Sequence, residues 1–457
     1  MYDVLEGVKV LEVSAWAFVP SGGGVLADWG AEVVKVEPPT GDPMRGLINA
    51  GIVSEGPSFP WEIWNRGKRS IALDLQQERA REIVLDLAAE ADVFLTSYLP
   101  ATRAKLGLDV ADVQARNPEI VYACGTGYGT HGEDAEKGGY DQITYWSRSG
   151  VSSAVTPPDY GRPLGMPSGA FGDSISGMAL AGGVAGALLR RERTGKGGVV
   201  DVSLMGTAMW SMQMAIVGAS VMGLTPPEDD TSVEPPPPAF VLNPLVNNYR
   251  TKDGRWLALC MLQLDRFWQD VVRVVGRPEL VDDPRFADGA LAQHHQDLVE
   301  ELERAFGART LAEWRVALAE QPGQWDVVQH ISELPHDPQA LANGFVQTVT
   351  YPGGHELPLV ASPVQFDRTP PVLTPAPEFA ADTDDLLPPG HGRRRDHRRQ
   401  DLGRRRLALP RPVRDRGTLE RKEDTLVLPE PSSWPDAHRG RDTRRQRGQT
   451  CCATTSR

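Results

Sequence analysis

The stretch "GVKVLEVSAWAFVPSGGGVLADWGAEVVKVEPP", Gly7 to Pro39, does most to limit what this chain can fold into. Val8 to Val13 form a short apolar run of strand character. Ser21 to Gly30 suit a small-residue helix, and Glu32 to Glu37 suit a second strand. Strand, loop, helix and strand in this order make a βαβ unit, which predicts a parallel sheet. The rhythm continues. "RSIALDL" has strand character, "QQERAREIVLDLAAEA" is amphipathic at helical spacing, "DVFLTSYL" is again a strand, and "EIVYACGTGYG" is a strand running into a glycine-rich loop. The expected fold class is therefore α/β, a doubly wound domain on a parallel sheet.

Downstream the pattern changes twice. "VVDVSLMGTAMWSMQMAIVGASVMGL", Val199 to Leu224, is long enough to cross a membrane. It carries Asp201, Gln213 and several Ser and Gly residues, so a helix buried inside a large protein or a dimer is expected instead, with no membrane span. The acidic, proline-rich stretch from Leu224 has the composition of a linker. A hairpin around Asp253-Gly254 follows, then helices over Asp265–Val275, Gln296–Phe306 and Leu311–Glu320, which together suit a smaller α+β domain. "GFVQTVTYPGGHELPLVASPVQF" returns to short strands and turns. Beyond about Pro388 the chain is arginine-rich with no sustained periodicity. Disorder is expected there; a nucleic-acid-binding arm and an out-of-frame C-terminus are the alternatives.

A chain of 457 residues has room for two or three cores. Its formal net charge of −13 argues against a general nucleic-acid binder. Cys124 and Cys260 stand alone and Cys451 and Cys452 are adjacent, which is neither a disulfide framework nor a zinc spacing and suits a reducing cytoplasm. Asp3 and Glu6 precede any apolar run, so no secretory leader is expected.

The candidate sites narrow quickly. Gly22, Gly23 and Gly24 lie near a helix start, but "SGGG" is not G-x-G-x-x-G and Pro20 occupies the turn; close packing of the helix on a strand accounts for the glycines without a dinucleotide. His294 and His295 are adjacent and have no companion at metal-ligand spacing, and no G-x-S-x-G is present, so neither a metal centre nor a serine hydrolase is expected. There remains Asp173 in "GAFGDSISGMALAGG". A carboxylate in the first turn of a helix is favoured by the free N–H groups and the helix dipole, which predicts an ionised side chain. It would serve as a cap, or as a nucleophile toward an activated acyl group in surroundings left open by Gly172, Ser174 and Gly177. The residues alone leave both roles open.

Several stretches taken together resemble the family III CoA-transferases: "LEGVKVLEVSAW", "LADWGAEVVKVEPPTGDPMR", "NRGKRSIALDL", "NPEIVYACGTGYG", "GGYDQITYWSRSG", "GAFGDSISGM", "ALLRRERTGKGGVVDVSLM" and "HDPQALANGF". The resemblance runs from Leu5 to about Leu387. It implies a Rossmann-like large domain built from both chain ends (1–223 and 342–387), a linker at 224–246, a small α+β domain at 247–341, and a homodimer of interlocked rings, with 388–457 as a tail outside the family pattern. It also implies a CoA thioester as substrate, no permanently bound cofactor, no nucleic-acid or membrane partner, and Asp173 as the catalytic carboxylate. The family's CoA-contacting positions fall on Ala17 and Phe18, on Leu73, Asp74, Leu75 and Gln76, on Ser97, Tyr98 and Leu99, on Lys105, and on Gly138 and Tyr140. Lys105 is the expected partner of a CoA phosphate, and Arg45 is a second candidate.

The departures from the pattern are informative. The 2-methylacyl-CoA racemases of the same superfamily carry a histidine where this chain has Tyr140. A tyrosine, with a reference pKa of about 10, is a poor general base at neutral pH, which favours transferase over racemase. Pro38 stands where formyl-CoA transferases have an arginine for the CoA phosphates, and their mobile glycine-rich loop has no counterpart here. Oxalate–formyl exchange is therefore not expected. Trp16, Phe18, Tyr145 and Trp146 suggest a site larger than formate requires. A CoA-binding protein without turnover is the remaining alternative.

Overall fold

The computed structural model describes residues 2–50, 56–157, 160–223, 243–286 and 294–387. Most of the expected linker, and the whole tail, lie outside the described residues. The first elements are β1 (Lys9–Val13), α1 (Phe18–Asp28), β2 (Glu32–Glu37), α2 (Phe59–Asn65), β3 (Arg69–Ala72), α3 (Glu78–Glu90), β4 (Val93–Thr96), α4 (Pro100–Leu106), α5 (Val110–Arg116) and β5 (Val121–Thr126); of these α2, α4 and α5 are additions to the expected pattern. A π-helix at Gln142–Arg148 and α6 (Val151–Val155) lead to the long helix α7 (Phe171–Thr194) and then β6 (Gly198–Ser203).

The six strands form one parallel sheet in the order β3-β2-β1-β4-β5-β6. β4 and β5 are buried throughout, as central strands covered on both faces must be, whereas the edge strand β6 is half exposed. The order reverses between β1 and β4. Helices leave these two strands toward opposite faces, so a crevice opens at their carboxyl ends.

Helix α1 starts three residues earlier than the glycine run suggests, and all of it is buried. Its glycines correct the expectation of simple helix–strand packing. A Cβ on Gly22 would sit 3.1 Å from the Gly177 carbonyl of α7, and one on Gly24 would sit 3.0 Å from the Trp64 carbonyl of α2. A Cβ on Gly23 would collide with the Glu12 carboxylate of β1. The reciprocal contact is tighter still: a Cβ on Gly177 would collide with Ser21 Oγ and lie 2.9 Å from the Phe18 carbonyl. Small residues on both helices thus bring α1 and α7 into backbone contact.

Val199 to Leu224 is not one buried helix. It supplies β6, then α8 (Leu204–Ser211) and α9 (Gln213–Val221), bent by 67° at the break. No residue of α9 is buried, and Trp210, Met214 and Val221 are 72%, 89% and 81% exposed. The helix of the described residues that is long and apolar enough to cross a membrane is α7 itself, and it packs against α1 and the sheet.

A second core gathers around the antiparallel sheet of β7 (Val246–Arg250), β8 (Trp256–Cys260) and β9 (Trp325–Val327). The first two strands are the expected hairpin, with Gly254 at φ +79° in its turn. Helices α10 (Leu264–Val274), α11 (His295–Phe306) and α12 (Leu311–Ala317) complete this core, in which Phe306 stacks on Tyr249 and meets the Trp314 ring at a tilt. After the short α13 (Pro338–Ala342) comes the hairpin β10 (Val346–Thr350) and β11 (Glu356–Val360), and the chain then returns to the parallel sheet. There the Asp382 carboxylate accepts the Ser70 N–H at 2.9 Å and pairs with Arg69 on β3, just before α14 (Thr383–Leu386).

The α1–α7 contact predicts opposite results for two similar substitutions. Gly177→Ala should destabilise by about 1–3 kcal/mol or more, because backbone must move. Gly182→Ala on the exposed face of α7, with nothing within 4 Å of the added carbon, should stabilise by about 0.5–1 kcal/mol. Denaturant melts of the two variants decide this, and a harmless Gly177→Ala would mean the helices are not held by backbone contact.

Candidate active site

The crevice between β1 and β4 is a cavity of about 320 Å³. Ala15, Trp16 and Phe18 enter it from the end of β1, Ser97, Tyr98, Leu99 and Thr102 from the end of β4, and Gly125 to Gly127 from the end of β5. Gly138, Gly139 and Tyr140 close one side and Leu204 another, and Asp173 reaches in from α7. The glycines are needed: a Cβ on Gly139 would lie 2.8 Å from the Gly127 Cα, so two backbones pass in contact and leave the cavity wall open.

Asp173 is the third residue of α7, and its position is set by packing. The Ser21 hydroxyl of α1 shares its proton between the Phe18 carbonyl at 2.7 Å and the Asp173 carbonyl at 3.1 Å. Tyr145 and Trp146, both buried, set their rings edge-on to Phe171 at the start of α7. These two aromatics therefore support the helix and do not line the cavity, contrary to the expectation that they enlarge the substrate space.

The structure also corrects both halves of the capping argument. The residue preceding α7 is Ala170, at φ +58°, and no side chain caps the helix from within. The Gly172 N–H is instead taken at 2.9 Å by the Asp141 carboxylate, from the segment that follows Tyr140. Nor does the helix terminus hold Asp173 in the usual acidic range. Burial, with the Asp141 carboxylate as a second cause, pushes its pKa up to about 7. Asp141 is itself raised by burial, against the lowering effect of the Gly172 and Asp173 N–H groups. Two carboxylates thus share the amino end of one helix.

The other expected contacts distribute unevenly. Phe18, Ser97, Tyr98, Leu99, Gly138 and Tyr140 line the cavity. Ala17 is buried behind it, and Leu73, Asp74, Leu75 and Gln76 follow β3 at the same carboxyl edge of the sheet, with Leu73 buried and Gln76 exposed. Lys105 is exposed on α4. Arg45 has another task. Its guanidinium pairs with Glu37 through contacts of 2.7 and 2.8 Å and lies 3.5 Å above the Trp61 ring, facing a separate cavity with Glu62, Tyr351 and His355. Arg45 is thus paired with Glu37 and lies outside the Asp173 cavity. Asp141 was missed because nothing local distinguishes an aspartate after a tyrosine. Its role follows from meeting α7 thirty-one residues later in the chain.

Asp173 thus stands in an open crevice at the reversal point of a parallel sheet, the place where α/β folds bind their ligands. The model of CoA-transferase family III matches residues 5–383, and the chain belongs to that family. It is 32% identical to the (R)-2-hydroxy-4-methylpentanoate CoA-transferase of Clostridioides difficile over 84% of this chain and 94% of that protein. It is 31% identical to the cinnamoyl-CoA:phenyllactate CoA-transferase of Clostridium sporogenes, over 84% and 93%. Among solved structures, a CaiB/BaiF family protein from Brucella suis superposes with a TM-score of 0.71 at 27% identity, over 84% of this chain and 98% of that one.

The raised pKa makes a signed prediction about stability. Because Asp173 has a folded-state value above its ordinary 3.8, folding retains a proton that the unfolded chain releases. Stability from this group is therefore present below about pH 4, declines as pH rises toward 7, and stays lost above it. Asp173→Asn should gain melting temperature over the wild type progressively from pH 4 to pH 8. An equal difference at both ends would show that Asp173 ionises as an exposed carboxylate does.

Proposed function

We propose that this CoA-transferase moves CoA from an acyl-CoA donor to a carboxylic acid acceptor, with Asp173 as the covalent nucleophile. The observation that carries the reading is the Asp173 carboxylate itself, reaching into the switch-point cavity with its pKa near 7. A carboxylate oxygen attacks the thioester carbonyl, the C–S bond breaks, and a mixed anhydride and CoA thiolate result. The thiolate then attacks the aspartyl carbonyl and expels the donor as its carboxylate, leaving an aspartyl-CoA thioester. The acceptor carboxylate repeats the two steps in reverse and leaves as acyl-CoA, regenerating Asp173. Acyl activation is exchanged at similar energy throughout, so no metal, nucleotide or permanently bound cofactor is called for.

The CoA moiety is expected along the carboxyl edge of the sheet, past Ala17 and Phe18, Leu73 to Gln76 and Ser97 to Leu99, with the exposed Lys105 toward its phosphates. A racemase would need a base facing Asp173. Among the described residues no histidine lines the cavity, and Tyr140 occupies the side where one would act. The exposed apolar surface of α8 and α9 supports an interlocked homodimer, in which a second copy covers Trp210, Met214 and Val221. We place the enzyme in the cytoplasm, without a nucleic-acid or membrane partner.

Incubation with acyl-CoA thioesters followed by hydroxylamine should leave a hydroxamate on the peptide containing Asp173. Asp173→Ala should lower turnover by about 10³-fold or more, the scale set by loss of a covalent nucleophile. Binding of the same thioesters with no label at Asp173 would leave a racemase or an inactive binder. kcat/KM should rise with pH through about 7, as Asp173 loses its proton. Asp141→Asn should shift this rise to lower pH, since the neighbouring negative charge is removed.

A further inference from the structure

Trp16 is held in a conformation that a large side chain rarely adopts, with φ +70°. What holds it is buried. The Trp16 N–H donates to Asp42 Oδ1 at 3.3 Å, the preceding Ala15 N–H donates to Ser97 Oγ at 3.1 Å, and the Ser14 carbonyl accepts from Lys35 Nζ at 3.0 Å. Asp42 and Lys35 are themselves paired at 3.0 Å and excluded from water. This backbone turns the indole into the Asp173 cavity, where it remains 38% exposed and meets the Tyr140 ring edge-on at 5.7 Å. Backbone strain maintained by a buried ion pair, at a residue that faces the candidate nucleophile, is strain kept at a functional position.

We propose that Trp16 is a specificity-determining residue for the acyl group, and that it selects aryl and branched-alkyl monocarboxylates. The proposal rests on the transferase reading of the Asp173 cavity and adds the substrate class. Trp16 and Tyr140 present aromatic surface, with Leu204 on another side of the same cavity. Such a wall gains from burying an apolar acyl chain and gains little from formyl or acetyl. Among the described residues that line the cavity there is no lysine or arginine. The second carboxylate of a succinyl, glutaryl or oxalyl group would enter unpaired, beside the Asp173 carboxylate, at a desolvation cost that disfavours it.

The test separates the proposal from the reading beneath it by measuring binding as well as turnover. Unreactive thioether analogues carrying 3-phenylpropyl, 4-methylpentyl, ethyl and 3-carboxypropyl groups on CoA report affinity without chemistry. The wild type should bind the first two at least tenfold more tightly than the last two. Trp16→Gly, whose backbone takes φ +70° without strain and so keeps the fold, should lose most of that ratio, and Trp16→Phe should retain part of it. The kcat/KM ratios for the matching thioesters should follow the same order. An undiminished preference in Trp16→Gly, or a wild type that prefers the carboxylated analogue, overturns the proposal. Trp16-dependent selectivity with no hydroxylamine-sensitive label at Asp173 would keep the proposal and overturn the transferase mechanism instead.

Discussion

Four charges sealed from water hold the amino-terminal half of this protein in place. Glu12 lies on β1, Lys35 on β2, Asp42 beyond β2, and Lys68 just before β3. Lys35 meets Glu12 at 2.8 Å and Asp42 at 3.0 Å, while Lys68 meets Glu12 at 2.7 Å. Burial alone would raise Glu12, yet the two ammonium groups bring it down to about 2. Burial lowers Lys68 to about 8, against the pull of Glu12. Removing one member of a buried set strands the others, at about 3–5 kcal/mol. Each member also has neutral partners that join separate elements. Lys68 reaches the Pro20 carbonyl of α1 at 2.8 Å and Asn65 of α2 at 3.0 Å, and Asp42 receives the Trp16 and Met44 N–H groups. The backbone that leads from β1 to Trp16 is therefore held by an electrostatic knot.

The same logic extends across the cavity. α1 is fixed from below by Lys68 and passes its position to α7 through Ser21, Gly22 and Gly177, where a methyl group has no room. α7 in turn presents Asp173 beside Asp141. Burial of this helix end, with the Asp141 carboxylate as the second cause, pushes Asp173 up to about 7. The favourable helix dipole is not strong enough to offset that desolvation and repulsion.

Much of this was legible in advance. The alternation of short apolar strands and amphipathic helices gave the parallel sheet because both patterns are local. The hairpin at Asp253-Gly254 was equally plain. Asp173 stood out because a lone carboxylate in a glycine-rich apolar helix is conspicuous. Three things were not legible. The Val199 to Leu224 segment is apolar over most of its length, so its periodicity does not distinguish a strand with two short helices from one buried helix. Tyr145 and Trp146 have the composition of a substrate wall but support Phe171. Arg45 has the charge for a phosphate but spends it on Glu37.

What the sequence alone determined, then, is the class of fold, the crevice that such a fold must have, and the residue most worth placing in it. These depend on short-range periodicity and on residue types that have few other uses. Only the tertiary structure decided which residues surround Asp173 and what state it is in. Asp141 reaches α7 from the far side of a loop, Asp42 reaches Trp16 across two strands, and the glycines of α1 find theirs on α7. A pKa, a strained backbone and a backbone-to-backbone contact are all set by neighbours distant in the chain, and pairings of that kind come into being only when the sheet has formed.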